Sequence, residues 1–334
     1  MGKVRVAVNG FGTIGKRVAD AVSLQGDMEL IGVTISKPSF KLDIIKKAGY
    51  PLYSALPGGQ ELKKHGAKGD INDLVGKADI IIDCSPEGQG AENKKLYQAK
   101  GKKAIFQGGE EAGIADLSFN ARANFDQAKG KQFVRVVSCN TTGLCRTLYA
   151  IDQAFGIDNC YAVLVRRAAD TGDSKKGPIN ALVPETSIPS HHGPDVQTVL
   201  PALHIMTAAV KASTTLMHLH VVSVKLKKVA SKEAAIKALE QAGRILMVTS
   251  SDGIKSTAEL FEYARDLGRK RGDLYEVAVW KDSVNVRNGI LYYMQAVHQE
   301  ADVVPENIDA IRAMLGTMAK DDSISKTDQS LGIL

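Results

Sequence analysis

Residues 4–24 constrain this chain more than any other segment. An alternating apolar run, Val4-Arg5-Val6-Ala7-Val8-Asn9, leads directly into Gly10-Phe11-Gly12-Thr13-Ile14-Gly15, and a stretch from Ile14 to Leu24 then carries Val18, Ala21 and Val22 at helical spacing. Strand, GxGxxG turn and helix in that order predict a Rossmann-type dinucleotide-binding unit. Gly10 is needed for the tight turn, Gly12 lets the backbone approach a pyrophosphate, and Gly15 lets helix and strand pack closely. Phosphate oxygens then sit at the helix N-terminus, where unpaired N–H groups and the dipole favour negative charge. Phe11, Thr13 and Ile14 belong to the same predicted cofactor-binding turn.

The end of the second strand predicts which cofactor is used. An acid about 20 residues past the glycines would bind the ribose 2′-hydroxyl of NAD. Here the segment reads Val33-Thr34-Ile35-Ser36-Lys37-Pro38, with two hydroxyls and a cation instead. Thr34, Ser36 and Lys37 predict NADP as the preferred cofactor, with NAD still usable.

The first part of the chain alternates strand-like runs with helical stretches: Val4 to Asn9, Glu29 to Ile35, Asp79 to Cys84, Ala104 to Phe106 and Phe133 to Val137. Strands this apolar predict an α/β unit with a parallel sheet covered on both faces. After residue 139 the strands lengthen: Tyr161 to Arg167, Leu216 to Leu226, Leu274 to Trp280, and a pair, Ser283 to Arg287 and Ile290 to Val297, joined at Asn288-Gly289. Asn-Gly is a strong hairpin turn, so a second α+β domain with a mixed or antiparallel sheet is expected. One helix is expected near Ser231 and another with a capping box at Ser256-Thr257-Ala258-Glu259. The predicted boundaries are 1–138 for the Rossmann domain and 139–303 for the catalytic domain. A terminal helix in 304–334, opened by Pro305 and presenting Ile308, Ile311, Met314 and Leu315, is expected to return to the first domain.

At 334 residues two domains are the natural division, and no run of eighteen apolar residues is available to span a bilayer. The N-terminus runs straight into a strand without a signal-peptide apolar region, and Val6 lacks a myristoylation hydroxyl, so a cytoplasmic setting is expected. Four irregularly spaced cysteines form no Cys-x-x-Cys or Cys/His pattern; free thiols and no metal are predicted. A net charge of +6 suits anionic small substrates better than nucleic acid. The cluster Arg265, Arg269, Lys270, Arg271 reads as a solvated helix end.

A strand ending in Ser138-Cys139-Asn140-Thr141-Thr142-Gly143 runs into a helical stretch from Leu144 to Phe155. A cysteine there meets the helix dipole and free N–H groups, which predicts a thiol pKa below the ordinary value of about 8.5 and an adjacent oxyanion hole. Spacing alone leaves open a packing role for Cys139. In Leu216-Met217-His218-Leu219-His220-Val221-Val222, His218 and His220 share a face, and alternation does not choose a base between them. Arg166, Arg167, His191 and His192 are candidate phosphate donors, with Gly193 beside them and with Ser138, Asn140 and Thr141 flanking Cys139. Lys175 and Lys176 read as solvated loop charges.

Val8-Asn9-Gly10-Phe11-Gly12-Thr13-Ile14-Gly15 and Ser138-Cys139-Asn140-Thr141-Thr142-Gly143-Leu144 together resemble the archaeal-type phosphorylating glyceraldehyde-3-phosphate dehydrogenases. Further matching segments are Phe106-Gln107-Gly108-Gly109-Glu110, Arg166-Arg167-Ala168-Ala169-Asp170, Gly177-Pro178-Ile179-Asn180, Pro189-Ser190-His191-His192-Gly193-Pro194-Asp195, Thr214-Thr215-Leu216-Met217-His218 and Gln295-Ala296-Val297-His298-Gln299-Glu300. The resemblance covers essentially the whole chain. It implies a Cys139 nucleophile, His218 as base, and Arg166 where the bacterial and eukaryotic branch carries its histidine. It also implies cofactor contacts from Gly109, Arg167 and Gln299. The expected reaction oxidises D-glyceraldehyde 3-phosphate with NAD(P) and inorganic phosphate to 1,3-bisphosphoglycerate through a thioester, within central carbon metabolism. A homotetramer is expected, with no nucleic-acid or membrane partner. Two alternatives are an acyl-phosphate reductase of the semialdehyde dehydrogenase type and a non-catalytic cofactor-bound regulator.

Overall fold

In the strands β1 (Val4–Asn9) and β4 (Ile80–Asp83), Val6, Ala7, Val8, Ile80, Ile81 and Ile82 are all fully buried. Strands apolar on both faces must be covered on both sides, and here they lie at the centre of a seven-stranded parallel sheet. The other members are β2 (Met28–Ile35), β3 (Leu52–Ser54), β5 (Lys103–Phe106), β6 (Leu117–Phe119) and β7 (Phe133–Val136), in the order β3-β2-β1-β4-β5-β7-β6. Three-residue β3 and β6 are too short for a periodicity argument. This is the Rossmann-like arrangement expected from the glycine turn.

The structure is a computed structural model that describes residues 2–170 and 177–334; Lys175 and Lys176 lie outside the described residues. Two compact units divide the chain, one of Met1–Ser138 with Val304–Leu331 and the other of Cys139–Val303 with Gly332–Leu334. Among the described residues no helix is long and apolar enough to cross a membrane.

Where one amphipathic terminal helix was expected, there are two, Val304–Leu315 and Lys320–Leu331. The first is buried on its polar positions as well, because its charges are paired inside the first unit. Glu306 Oε2 accepts from the Ala121 N–H at 2.6 Å, and the Arg312 guanidinium holds both oxygens of Asp27 at 2.9 Å while donating to Thr327 and Gln25. Asp309 accepts from the Ser323 and Thr327 hydroxyls at 2.7 Å each. Such charges survive burial only when every one is matched. Arg312 accordingly holds the Asp27 carboxyl well below the usual range.

The second unit is built on an eight-stranded mixed sheet of β8 (Ile157–Arg167), β9 (Val183–Glu185), β10 (Ile205–Ala212), β11 (His218–Leu226), β12 (Ile245–Val248), β13 (Val277–Trp280), β14 (Asn285–Arg287) and β15 (Ile290–Val297). The order is β12-β13-β15-β11-β8-β10-β9, with β14 paired to β15. Asn288 and Gly289 both have left-handed φ, 53° and 72°, as the predicted hairpin turn requires. β11 begins only at His218, because Met217 at φ 62° breaks the extended run. Ser231 and Ser256 cap their helices, and Glu259 reaches back to the Lys255 N–H at 2.7 Å.

Within the basic cluster Arg265 and Lys270 are exposed as expected, and Arg269 departs from the sequence reading. Arg269 is not solvated: it forms a buried ion pair with Glu276 and donates to the Gly332 carbonyl at 2.7 Å, while Arg265 pairs with Glu262. Pairing within the unit leaves no massed cationic face there.

Candidate active site

In the first unit the glycine turn is as tight as the motif demands. Gly10 has φ 100°, and a Cβ on Gly15 would lie 1.7 Å from the Gly10 carbonyl oxygen. The helix Thr13–Ser23 has Gly12 at its N-cap with no side-chain cap, and open space surrounds the position a Gly12 Cβ would take. A pyrophosphate fits that terminus. Phe11 is buried, its N–H on the Thr34 carbonyl at 2.9 Å and its ring edge-on to Tyr50, so it braces the turn. Thr34 also turns inward: its hydroxyl donates to Asn9 Oδ1 at 2.7 Å and accepts the Gly10 N–H at 2.8 Å. Of the three residues expected to meet a 2′-phosphate, Thr34 therefore shapes the turn, and only Ser36 and Lys37 are exposed at the end of β2. Gly109 lies in the turn after β5, where the Glu110 N–H returns to the Gln107 carbonyl.

Ser138 ends the first unit, and Cys139 opens the helix Cys139–Phe155 of the second. The inner face of the second sheet carries Arg166, His218, His220, Gln295 and Val297, as the register pairs His218 with Val297 and His220 with Gln295. Asn140 and Thr147 of the helix reach two of these side chains, so the nucleophile candidate and both histidines belong to one layer.

Cys139 is only partly exposed. Its thiol differs from the expected low pKa: burial pushes it up to about 12, the Asp302 charge adds to this, and Arg167, the Asn140 N–H and Arg166 pull the other way. Desolvation of the thiolate outweighs the helix terminus and both guanidiniums. Asp302, given no role by the sequence reading, is fully buried.

The two histidines differ in their partners. His218 Nδ1 accepts the backbone N–H of Arg167 at 3.0 Å. A backbone N–H can only donate, so the neutral ring carries its proton on Nε2. Burial, then the charges of His220, Arg167, Arg166 and His192, hold His218 well below its ordinary pKa. His220 is fixed between Gln295, whose Nε2 donates to Nδ1 at 3.1 Å, and Asn140, whose Oδ1 lies 2.9 Å from Nε2. Burial brings its pKa down to about 3.

The expected phosphate donors separate as clearly. Arg166 meets Glu185 at 3.3 Å and Arg167 meets Asp170 at 2.6 Å, yet among the described residues the buried Nε of each has no acceptor. His191 is largely exposed, with Nδ1 3.0 Å from Glu185 Oε1. His192 is buried, with Nδ1 3.1 Å from Ser190 Oγ, and burial first, then the neighbouring cations, lower its pKa to about 2. The Thr141 hydroxyl donates to Asp195 at 2.6 Å, and the Gly193 N–H is taken by Thr207 Oγ1 and the Ser190 carbonyl. Those contacts hold the loop in place. Gln299 is buried, its Nε2 3.4 Å from the Thr215 carbonyl and its Oε1 without a partner among the described residues. Ligand atoms of Glu185, His191 and His192 converge within 4.8 Å, but Arg166 already occupies Glu185 and opposes a cation.

Glu185, Asp195, Gln295, Thr147 and Tyr293 were given no individual function from sequence. The in-register pairing of Gln295 with His220 follows only once β15 is known to lie beside β11.

A family profile described as "Glyceraldehyde 3-phosphate dehydrogenase, C-terminal domain" matches residues 138–283. Curated proteins named glyceraldehyde-3-phosphate dehydrogenase are similar over their full length: those of Pyrococcus furiosus and Thermococcus kodakarensis are 54% identical over 338 aligned positions, covering 99% of both chains. That of Methanopyrus kandleri is 52% identical over 347 positions, covering 100% of this chain and 99% of its own. Whole-length similarity at this level shows that the chain belongs to the glyceraldehyde-3-phosphate dehydrogenase family.

Proposed function

We propose that this dehydrogenase catalyses the phosphorylating oxidation of D-glyceraldehyde 3-phosphate to 1,3-bisphosphoglycerate, in the cytoplasm and within central carbon metabolism. The observation that carries the reading is the cluster of Cys139, neutral His218 and the two unspent guanidinium Nε–H groups of Arg166 and Arg167. A nucleophile in the field of two guanidiniums that each keep an unmatched Nε–H suits an aldehyde bearing a phosphate.

The Cys139 thiolate, its proton released to solvent, attacks the aldehyde carbon. His218 Nε2–H donates to the carbonyl oxygen and stabilises the oxyanion of the adduct. A base at Nε2, the role implied by family resemblance, needs the opposite tautomer, which the Arg167 N–H disfavours. A bound nicotinamide supplies the hydride acceptor. The oxyanion re-forms a C=O bond as hydride leaves, giving a thioester on Cys139. Inorganic phosphate, held by Arg166, Arg167 and His191, then displaces the thiolate. The semialdehyde-type alternative has no observation in its favour.

NADP is the preferred cofactor in this reading, supported by exposed Ser36 and Lys37 and by the absence of an acid at that strand end. The protein assembles as a homotetramer. Support comes from the outer sheet face, where Met206 and Tyr161 are register partners, as are Val221 and Met294, and where Tyr292 is also exposed. An apolar face of this breadth is normally covered. Product formation that requires inorganic phosphate tests the reaction; turnover unaffected by omitting phosphate would overturn it.

A further inference from the structure

A chain of hydrogen bonds crosses the second unit beneath Cys139. The Tyr293 hydroxyl donates to Thr147 Oγ1 at 3.0 Å, and the Thr147 hydroxyl donates to Gln295 Oε1 at 2.8 Å. Gln295 Nε2 donates to His220 Nδ1 at 3.1 Å, which leaves the His220 proton on Nε2, facing Asn140 Oδ1 at 2.9 Å. On the far side, Asn140 Nδ2 lies 3.5 Å from His192 Nε2, and His192 Nδ1 lies 3.1 Å from Ser190 Oγ. The Ser190 hydroxyl donates to Thr207 Oγ1 at 2.9 Å, and Thr207 donates to the Ser190 carbonyl at 3.0 Å.

Every member can donate in one direction, from a phenol to a backbone carbonyl, without a clash of two donors or two acceptors. Tyr293, Thr147, Gln295, His220, Asn140, His192, Ser190 and Thr207 are all buried. With the Gln295 and Asn140 amides placed as they are, the chain runs in this one polarity. Asn140 follows Cys139 in the first turn of the helix Cys139–Phe155, and its backbone N–H is one of the groups, after the Arg167 charge, that favour the Cys139 thiolate.

We propose that His220 is a positioning residue: held in its Nε2–H form by Gln295, it clamps the Asn140 side chain and so fixes the first helical turn that presents the Cys139 sulfur. This rests on the reading of Cys139 as the nucleophile. It assigns the second histidine of the His-x-His strand a purpose distinct from that of His218, with His192 as the other jaw of the clamp. The charges facing the sulfur are those of Asp302, Arg167 and Arg166, and His220 is not among them.

The test compares His220→Leu, His220→Gln and Tyr293→Phe in the full chain, reading the rate of Cys139 alkylation by iodoacetamide against pH alongside kcat and KM. A glutamine can accept from Gln295 and donate to Asn140; a leucine can do neither. His220→Leu is expected to lower alkylation at pH 8 and kcat together by about tenfold, the equivalent of a one-unit rise in thiol pKa, with KM changed less than twofold. His220→Gln recovers most of that loss, and Tyr293→Phe, which removes only the distant donor, gives a smaller loss in the same direction. If His220→Leu does not fold, Gln295→Met and Tyr293→Phe carry the comparison. Alkylation unchanged in every folded variant overturns the proposal. So does a His220→Gln enzyme as inactive as His220→Leu with normal alkylation, which would make His220 itself the proton carrier. A Cys139→Ser enzyme with normal turnover would instead defeat the reading of the nucleophile, while the alkylation series still reports on the clamp.

Discussion

The backbone N–H of Arg167 donates to Nδ1 of His218 at 3.0 Å. This contact, between neighbouring strands β8 and β11, presents the imidazole as an Nε2–H donor. The side chain of Arg167 is held separately by Asp170, so one residue orients the histidine and adds a cation to its surroundings.

His218→Gln, which keeps a donor, is expected to retain more activity than His218→Ala, whose kcat should fall by roughly 10²–10³-fold, the usual scale for removing one oxyanion donor. Steady-state kcat for the two variants checks this. Equal losses would point to proton abstraction by the imidazole.

With its thiol pushed up to about 12, Cys139 is a small fraction thiolate at neutral pH. Alkylation of Cys139 should rise about tenfold per pH unit from pH 7 to 10 without levelling. A plateau below pH 8 would show that the helix terminus and the two arginines win after all.

Lys37 is exposed where a 2′-phosphate would lie. Lys37→Glu should lower kcat/KM for NADP by tenfold or more and shift preference towards NAD. A parent enzyme with clearly higher kcat/KM for NAD would contradict the proposed preference.

His192, His218 and His220 are all buried neutral, with pKa values held below the ordinary 6.5. The unfolded chain binds their protons below about pH 6.5 while the folded chain does not, so stability is fully present above that pH. It falls as pH drops towards the folded values of about 2 and about 3 for His192 and His220. Each histidine contributes at most about 1.4 kcal/mol per pH unit in that window. Urea unfolding at pH 4.5 to 7 reads the slope, which should be shallower in His220→Gln.

Placing charge on the outer sheet face, as in Val221→Lys with Met294→Lys, puts like charges directly opposite each other, since these residues are register partners. Sedimentation should show a smaller assembly than that of the parent protein. An unchanged assembly would mean that this face is not the interface.

The Rossmann turn was legible because its chemistry is local. Gly10 is dictated by its own left-handed φ and Gly15 by the Gly10 carbonyl five residues before it, while the approach of Cys84 to both glycines is a tertiary contact; the hairpin at Asn288-Gly289 is set by the φ of two residues. The His-x-His alternation likewise put His218 and His220 on one face. Thr34 was misjudged because a hydroxyl at a strand end looks the same in sequence whether it faces a ligand or, as here, Asn9 and the Gly10 N–H.

Sequence alone determined the two-part α/β organisation, the glycine turn, and a cysteine at the start of a helix, all of which follow from periodicity and backbone stereochemistry over short spans. Only the tertiary structure decided the protonation of the site. Desolvation, the Asp302 charge beside Cys139, the Arg167 N–H on His218 and the Gln295 amide on His220 come from residues far apart in the chain, brought together by strand order and register. Electrostatics depends on distance and burial in space, and neither can be read from spacing along the chain.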